Sequence, residues 1–333
     1  ATRWKTATWR QKPVHCIMKN PLRIAFMGTP EFAVPSLQLL VDNDYPVVLV
    51  VTAPDRPAGR GRKVQGSAVK QCAEKNGIPI LQPERLKDPE FIQQLREYRI
   101  NLQVVVAFRM LPEAVWTLPQ YGTFNLHASL LPDYRGAAPI HWAVINGEIE
   151  TGVTTFFIDE QIDTGHIILQ DKTPVGAEET TGSLYGRLMG MGAKLVLETV
   201  SQIARGNVVT RPQKHLQTPK KAPKLTSDNT RLDWTGSQKE VFDKIRGLCP
   251  HPGAWTRFEN GGEAERVKIF RSKIDTHSAK APAGSLLKLE KRLLARTSDG
   301  WLEVLEMQLP GKRRMFVEDI LNGLEIQKSA RFL

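Results

Sequence analysis

Only three cysteines occur in the chain, Cys16, Cys72 and Cys249, far apart and with no Cys-x-x-Cys pair among them. An odd, scattered set excludes a disulfide framework and a zinc ribbon, and it fits a reducing compartment. No apolar run approaches the length that spans a bilayer; the longest, around Pro46 to Val51, is strand-sized, so no membrane association is expected. Nucleotide and hydrolase signatures are missing as well. Gly28-Thr29-Pro30 stands where a dinucleotide fold places its Gly-rich fingerprint, yet the second and third glycines are absent and Pro30 has no N–H to face a phosphate. Walker A, zincin, Gly-x-Ser-x-Gly and EF-hand patterns do not occur. Acidic residues are scarce beside basic ones, 35 against 46, for a formal charge of +11. Such an excess suits a polyanionic partner through Coulomb attraction and counterion release, although it also serves solubility.

The first twenty residues are unlike the rest. Ala1 to Asn20 carries Arg3, Lys5, Arg10, Lys12 and Lys19, with Trp4 and Trp9 and no acidic residue. An Arg-rich, acid-free start suits a mitochondrial presequence, but Pro13 and weak amphipathicity argue against it, and Met18 is an equally good natural start. The segment is read as an N-terminal extension outside the fold. A bacterial cytoplasm is then the expected location, with the mitochondrial matrix the alternative if residues 1–20 are a targeting remnant.

With 333 residues, 41% hydrophobic and 24% charged, the chain is long enough for two globular domains. From Leu22 onward strand-like and helix-like patterns alternate as in an α/β domain. Leu22 to Met27, the β-branched run Val47 to Thr52, Val104 to Phe108 and Gly122 to His127 read as strands. Pro30 to Val41, a segment capped by Ser67 and ended by Gly77, Leu86 to Tyr98 and Gly182 to Arg205 read as helices. The fold expected is an open, mostly parallel, Rossmann-like sheet over residues 21–208. Residues 209–227, with Pro212, Pro219 and Pro223 among Lys214, Lys220, Lys221 and Lys224, form an extended basic linker. Beyond it, Gln238 to Leu248 reads as a helix. Short runs such as Arg266 to Phe270, Leu286 to Leu289, Leu293 to Arg296 and Leu302 to Met307 suit a small β-barrel in residues 228–333.

The chemistry concentrates between Phe124 and Ile140. Asn125 and His127 sit two positions apart at a strand end, so both side chains leave the same face. A Pro- and Gly-containing loop bearing Tyr134 and Arg135 follows, suited to gripping a small ligand. Thr151 to Ile158 alternates as a strand, a polar turn spans Asp159 to Gly165, and His166 to Leu169 resumes a strand. A carboxylate on that turn can face His127. Asp163 is preferred to Asp159 because its Ile-Asp-Thr-Gly setting is a tight turn, though spacing alone does not decide it. His127, His141 and His166 lack the helical or hairpin spacing of metal ligands, so no metal is expected.

Asn125-Leu-His127, Ser129-Leu-Leu-Pro132, Tyr134-Arg-Gly136, Ala138-Pro-Ile140, Glu150-Thr-Gly-Val-Thr154 and Asp163-Thr-Gly165 together resemble the formyltransferases that use 10-formyltetrahydrofolate. Met27-Gly-Thr-Pro-Glu-Phe-Ala-Val-Pro35, Pro54-Asp-Arg-Pro-Ala-Gly-Arg-Gly61, Leu81-Gln-Pro-Glu-Arg-Leu86, Arg231-Leu-Asp-Trp234 and Leu309-Pro-Gly-Lys312 resemble the branch that acts on methionyl-tRNA. The resemblance implies formyl transfer from 10-formyltetrahydrofolate to the free α-amine of methionyl initiator tRNA, by a monomer without metal. It implies that Asn125 and protonated His127 stabilise the formyl oxygen while Asp163, paired with His127, assists proton removal from the amine. It implies a folate site at Ser129, Leu130, Leu131 and Pro132, and an OB-like second domain. A relative acting on an amino sugar or a ribonucleotide amine would keep the three catalytic residues, but would not need the basic second domain.

Arg56, Arg60, Arg62, Lys63 and Lys70 cluster after the second strand, with Gly59, Gly61 and Gly66 keeping the segment flexible. A mobile basic loop at the active-site rim suits the acceptor end of a tRNA, the role this loop has in the resembling family. Lys220, Lys221 and Lys224 on the linker extend the same charge, as do Lys288, Lys291, Arg292, Lys312, Arg313 and Arg314 on the barrel.

Overall fold

In the computed structural model, which describes residues 21–58 and 63–333, the apolar runs of the first half become the strands of one sheet. The elements in order are β1 (Ile24–Gly28), α1 (Val34–Asp42), β2 (Val47–Val51), β3 (Arg56–Ala58), β4 (Lys63–Gln65), α2 (Ala68–Lys75), β5 (Ile80–Leu81) and α3 (Pro89–Glu97). Then come β6 (Leu102–Val106), α4 (Glu113–Trp116), β7 (Thr123–His127), β8 (Arg135–Gly136), α5 (Pro139–Ile145), β9 (Glu150–Phe157), β10 (Ile167–Pro174) and α6 (Thr181–Ala204). The strand order is β10-β9-β7-β6-β1-β2-β5. Strands β5 to β7 on this path pair in parallel, and β9 and β10 are antiparallel additions at one edge. The short polar turn between β9 and β10 allows only antiparallel pairing, since a parallel return needs a long crossover.

Both faces of the sheet are covered, and the alternation of side chains along each strand feeds two cores. Ile24, Phe26, Val104, Phe124 and Leu126 pack on one side with Leu37 and Leu40 of α1 and Leu184, Leu188 and Val196 of α6. Ala25, Met27, Val51 and Val105 pack on the other with Phe91 and Leu95 of α3 and Val115 of α4. Ser67 caps α2 by accepting a hydrogen bond from the Lys70 N–H at 3.0 Å. Asp88 caps α3, so that helix starts later than its apolar spacing suggested, with Pro89 in its first turn. The chain leaves β1 toward β2 and β5, then returns to β6 on the other side of β1. Strand order reverses there, and a crevice opens beyond the carboxyl ends of β1 and β6.

The second half contains β11 (Lys221–Ala222), α7 (Gln238–Gly247), β12 (Ala254–Glu259), β13 (Glu265–Asp275), β14 (Leu286–Leu289), β15 (Arg292–Arg296), β16 (Trp301–Gln308), β17 (Met315–Phe316), α8 (Val317–Leu321) and β18 (Arg331–Phe332). Its sheet runs β14-β15-β16-β13-β12-β18, all antiparallel, and a Ser285–Arg331 bridge brings the two edges together. The result is a nearly closed, OB-like barrel around Val267, Ile269, Leu293, Leu302, Val304 and Phe332.

The halves are docked firmly. Arg246 of α7 donates to the carbonyls of Gly176 at 3.2 Å and Glu179 at 2.9 Å, and Thr181 Oγ1 donates to the Gly247 carbonyl at 2.7 Å. A methyl group on Gly247 would lie 2.5 Å from Ile145 Cγ1 and 2.8 Å from the Ile145 nitrogen. Gly247→Ala is therefore expected to destabilise the protein by about 1–3 kcal/mol, the usual cost of overpacking, as read by denaturant unfolding.

Candidate active site

β7 is flanked by β6 in parallel and β9 antiparallel, with Asn125 opposite Val105 and Phe156 and His127 opposite Thr154. Phe124 and Leu126 point into the core under α1 and α6, which turns Asn125 and His127 to the other face. There a cleft of about 880 Å³ opens, with α4 in its wall. Asn125, His127 and Asp163 all line it, together with Phe108, Met110, Leu111, Trp116, Phe156 and Ile158. Its volume is in the range of small-molecule sites, and its walls are mostly apolar with a few convergent polar groups.

His127 is buried, and its Nε2 lies 2.8 Å from the Tyr134 carbonyl oxygen. A carbonyl only accepts, so Nε2 carries the hydrogen and Nδ1 is the nitrogen free to exchange a proton. Nδ1 faces Asp163 Oδ2 at 3.8 Å, an ion-pair separation longer than a hydrogen bond. Asp163 Oδ2 accepts from the Gly136 N–H at 3.0 Å. Asp163 has φ 56°, in the left-handed region, so its place on the turn is held by its surroundings. The Asn125 amide has no hydrogen-bond partner among the described residues and is open to the cleft.

Ser129, Leu130, Leu131 and Pro132 do not line the cleft. Ser129 is fully buried with its hydroxyl on the Asp133 carbonyl at 2.7 Å, and Leu131 packs with Phe156 and Ile167. Thr154 Oγ1 donates to the Ser129 carbonyl at 2.6 Å and accepts from the Leu131 N–H at 3.2 Å, and Gln170 donates to the Leu131 carbonyl at 3.0 Å. These side chains brace the loop behind the cleft, because small and apolar groups at that position are taken up by the sheet edge. The wall after β6 was not singled out in the sequence. Ala107 has φ 48°, and Arg109, Met110 and Leu111 carry backbone N–H groups without partners among the described residues. A positive φ at alanine has no sequence signature.

The cleft lining carries the cation Arg109 beside the carboxylates of Glu113, Asp159, Glu160 and Asp163. Burial first, then the charge of nearby Arg56, pulls the Arg109 guanidinium below its ordinary value, and Arg109 is held by the carbonyls of Pro83 at 2.7 Å and Glu84 at 3.0 Å. Arg56 is exposed. Arg60, Arg62 and the side chain of Lys63 lie outside the described residues, as do residues 1–20 with Cys16. Lys70, from the same cluster, is paired with Asp55 at 2.5 Å and is not free for a phosphate.

The linker is not a solvated tether. Arg211 bridges to Ile167, Gln213 donates to the carbonyls of Asp163 at 2.8 Å and Gly165 at 2.9 Å, and β11 pairs in parallel with β8. Lys220 is ion-paired with Glu148, which also accepts from the Tyr134 hydroxyl. Burial, then that hydrogen bond, pushes the Tyr134 phenol well above its ordinary range. Lys221 and Lys224 are exposed and have no acidic partner among the described residues. On the barrel, Arg292 is held by Asp275 and Glu303, and Arg314 by Glu306, so those two cations are already neutralised. Cys72 and Cys249 are buried and free. No group of His, Cys, Asp and Glu that could hold a metal occurs among the described residues, and no helix there is long and apolar enough to cross a membrane.

Comparison with known proteins identifies the family. Residues 22–200 match the formyl transferase family and residues 224–325 match the formyl transferase C-terminal domain. The methionyl-tRNA formyltransferase of Bacteroides fragilis is 49% identical over 316 residues, covering 93% of this chain and 98% of that protein. That of Flavobacterium johnsoniae is 48% identical over 310 residues, covering 93% and 98%. The structure of HypX from Aquifex aeolicus in complex with tetrahydrofolic acid is similar in fold, with a TM-score of 0.61 and 19% identity over 91% of this chain and 47% of that one. With its two halves matching the two formyl transferase domains in order, and with relatives near half identity along almost its whole length, the chain belongs to the formyl transferase family, among the methionyl-tRNA formyltransferases.

Proposed function

We propose that the chain transfers the formyl group of 10-formyltetrahydrofolate to the free α-amine of methionyl initiator tRNA, and that Asn125, His127 and Asp163 carry the step. The observation that supports this most is the convergence of those three side chains, from β7 and from the β9–β10 turn, on one cleft wall. The amine nitrogen bonds to the formyl carbon, the carbon–nitrogen bond to the folate breaks, and the proton that the amine loses is matched by one taken up by the released folate nitrogen. The open Asn125 amide donates to the formyl oxygen as that oxygen gains charge. His127, with Nε2 committed to the Tyr134 carbonyl, presents Nδ1 as the exchangeable position, and Asp163 stands beside it as the acceptor of positive charge.

The cleft suits the co-substrate by its donor set. Phe108, Met110, Leu111 and Trp116 offer apolar walls to an aromatic heterocycle, and the free N–H groups of residues 109–111 offer donors to its acceptor atoms. The folate contacts are therefore assigned to this wall, with the Ser129 to Pro132 segment behind it. Lys221 and Lys224 lie on the segment that runs past the cleft, where they can meet tRNA phosphates, and Arg56 stands at the mouth. Replacing both Lys221 and Lys224 with Ala is expected to lower the slope of log affinity against log salt by about one unit per lost phosphate contact, with folate binding unchanged. Lys220→Ala acts differently, because its ammonium serves Glu148 and Tyr134.

The acceptor is tested by offering formyl donor with methionyl initiator tRNA, with an amino-sugar nucleotide and with a ribonucleotide amine. Formyl transfer to the tRNA alone supports the reading. Transfer to either small amine with none to the tRNA overturns it.

A further inference from the structure

Gln213 sits in the segment joining the two domains, yet its carboxamide makes four hydrogen bonds to the active-site loops. Its Nε2 donates to the carbonyls of Asp163 and Gly165, at 2.8 and 2.9 Å. Its Oε1 accepts from Arg135 Nε and Nη2, at 3.1 and 2.6 Å. Arg135 is followed by Gly136, whose N–H holds the Asp163 carboxylate at 3.0 Å. The contacts close a ring: Asp163 carboxylate to Gly136, along the chain to Arg135, across to Gln213, and back to the Asp163 carbonyl. Every polar atom of the carboxamide is used, so the side chain has one orientation.

We propose that Gln213 is a positioning residue for Asp163, and that the interdomain segment is thereby part of the catalytic site. The inference rests on the role of Asp163 proposed above. Asp163 is a non-glycine residue at φ 56°, a conformation that persists only where its neighbours fix it. The two carbonyls that Gln213 holds belong to that strained residue and to the glycine two positions later. Gly165 has no room to move, since a Cβ there would lie 1.7 Å from the Phe157 carbonyl oxygen. Without the amide donors, the turn can relax toward ordinary backbone angles, and the carboxylate leaves its place 3.8 Å from His127 Nδ1. The same segment, eight residues on, is paired to the loop that carries Gly136 through β11. A chain that leads to the second domain thus grips both loops that orient the carboxylate.

The test compares Gln213→Ala, Gln213→Glu and Gln213→Met with wild type and with Asp163→Ala, measuring kcat, KM for folate and tRNA binding in full-length protein. Gln213→Glu keeps the acceptor for Arg135 but lacks the N–H donors, and Gln213→Met keeps length and packing alone. All three are expected to lower kcat by roughly 10- to 100-fold, the scale of an ångström of misplacement, with KM for folate and tRNA affinity unchanged. Restoration of kcat by Gln213→Met would show a packing role and overturn the inference. Normal kcat in the Gln213 variants with an inactive Asp163→Ala would overturn it while leaving the proposed reaction intact. An active Asp163→Ala would remove the catalytic reading and the inference together.

Discussion

Replacing His127 with alanine is expected to lower turnover by roughly 10²- to 10⁴-fold, the range for groups that act in general acid–base catalysis, while tRNA affinity stays within a factor of about two. His127 is buried at the end of a central strand, and its ring touches the cleft with one nitrogen committed to the Tyr134 carbonyl. The substitution removes the exchangeable Nδ1 and leaves the basic surface unaltered. Asn125→Ala and Asp163→Ala are expected to follow the same pattern, with the loss in kcat. Steady-state kinetics against folate and tRNA check it. A loss confined to KM would place these residues in uniform binding and not in the reaction.

Gly136→Ala has the second large effect. Gly136 has φ 125°, a conformation that L side chains rarely adopt, and a Cβ would meet the Ala222 carbonyl oxygen at 2.4 Å and its carbon at 3.0 Å. Those neighbours are backbone, so no rotamer change relieves the clash. The β8–β11 pairing must open, and the Gly136 N–H leaves the Asp163 carboxylate. A stability loss of about 3 kcal/mol is expected from the combined backbone strain and overpacking, with turnover down by about 10²-fold in the protein that remains folded. Gly190→Ala in α6 is the counterpart: nothing lies within 4 Å of a Cβ there, and a helical glycine replaced by alanine is expected to stabilise by about 0.5–1 kcal/mol. Thermal unfolding of the two variants should move in opposite directions.

Much of the first domain was legible because strands buried on both faces read as β-branched runs; Val47 to Val51 is such a run, and the run read at Val104 to Phe108 is the end of a strand that spans Leu102–Val106. The antiparallel edge was less so: the connection from β7 to β9 is long enough for a parallel return, yet the two pair antiparallel, and the strands' own residues do not mark the direction. Asn125 and His127 were legible from their two-residue spacing at a strand end, and the turn carrying Asp163 from its polar residues. Gln213 was not. A glutamine in a basic, proline-containing stretch gives no periodic signal, and its partners are carbonyls about fifty residues away in sequence. The docking of the extended basic linker was not legible for the same reason: beside Gln213 it is done by backbone atoms of Lys220 and Ala222, which composition cannot reveal. Charge counting also overstated the basic surface, because Lys70, Lys220, Arg292 and Arg314 each carry an acidic partner. The counted charge that remains exposed and without an acidic partner among the described residues lies on Arg56, Lys221 and Lys224 and, on the barrel, Lys288, Lys291, Lys312 and Arg313.

The most direct test of the account is the single-turnover rate of formyl transfer from 10-formyltetrahydrofolate to methionyl initiator tRNA, measured for wild type, His127→Ala, Asp163→Ala and the double variant under saturating binding. If the two residues act as one unit, each single variant loses most of the rate and the double variant is little slower than the slower single. Single variants that transfer formyl at the wild-type rate would contradict it.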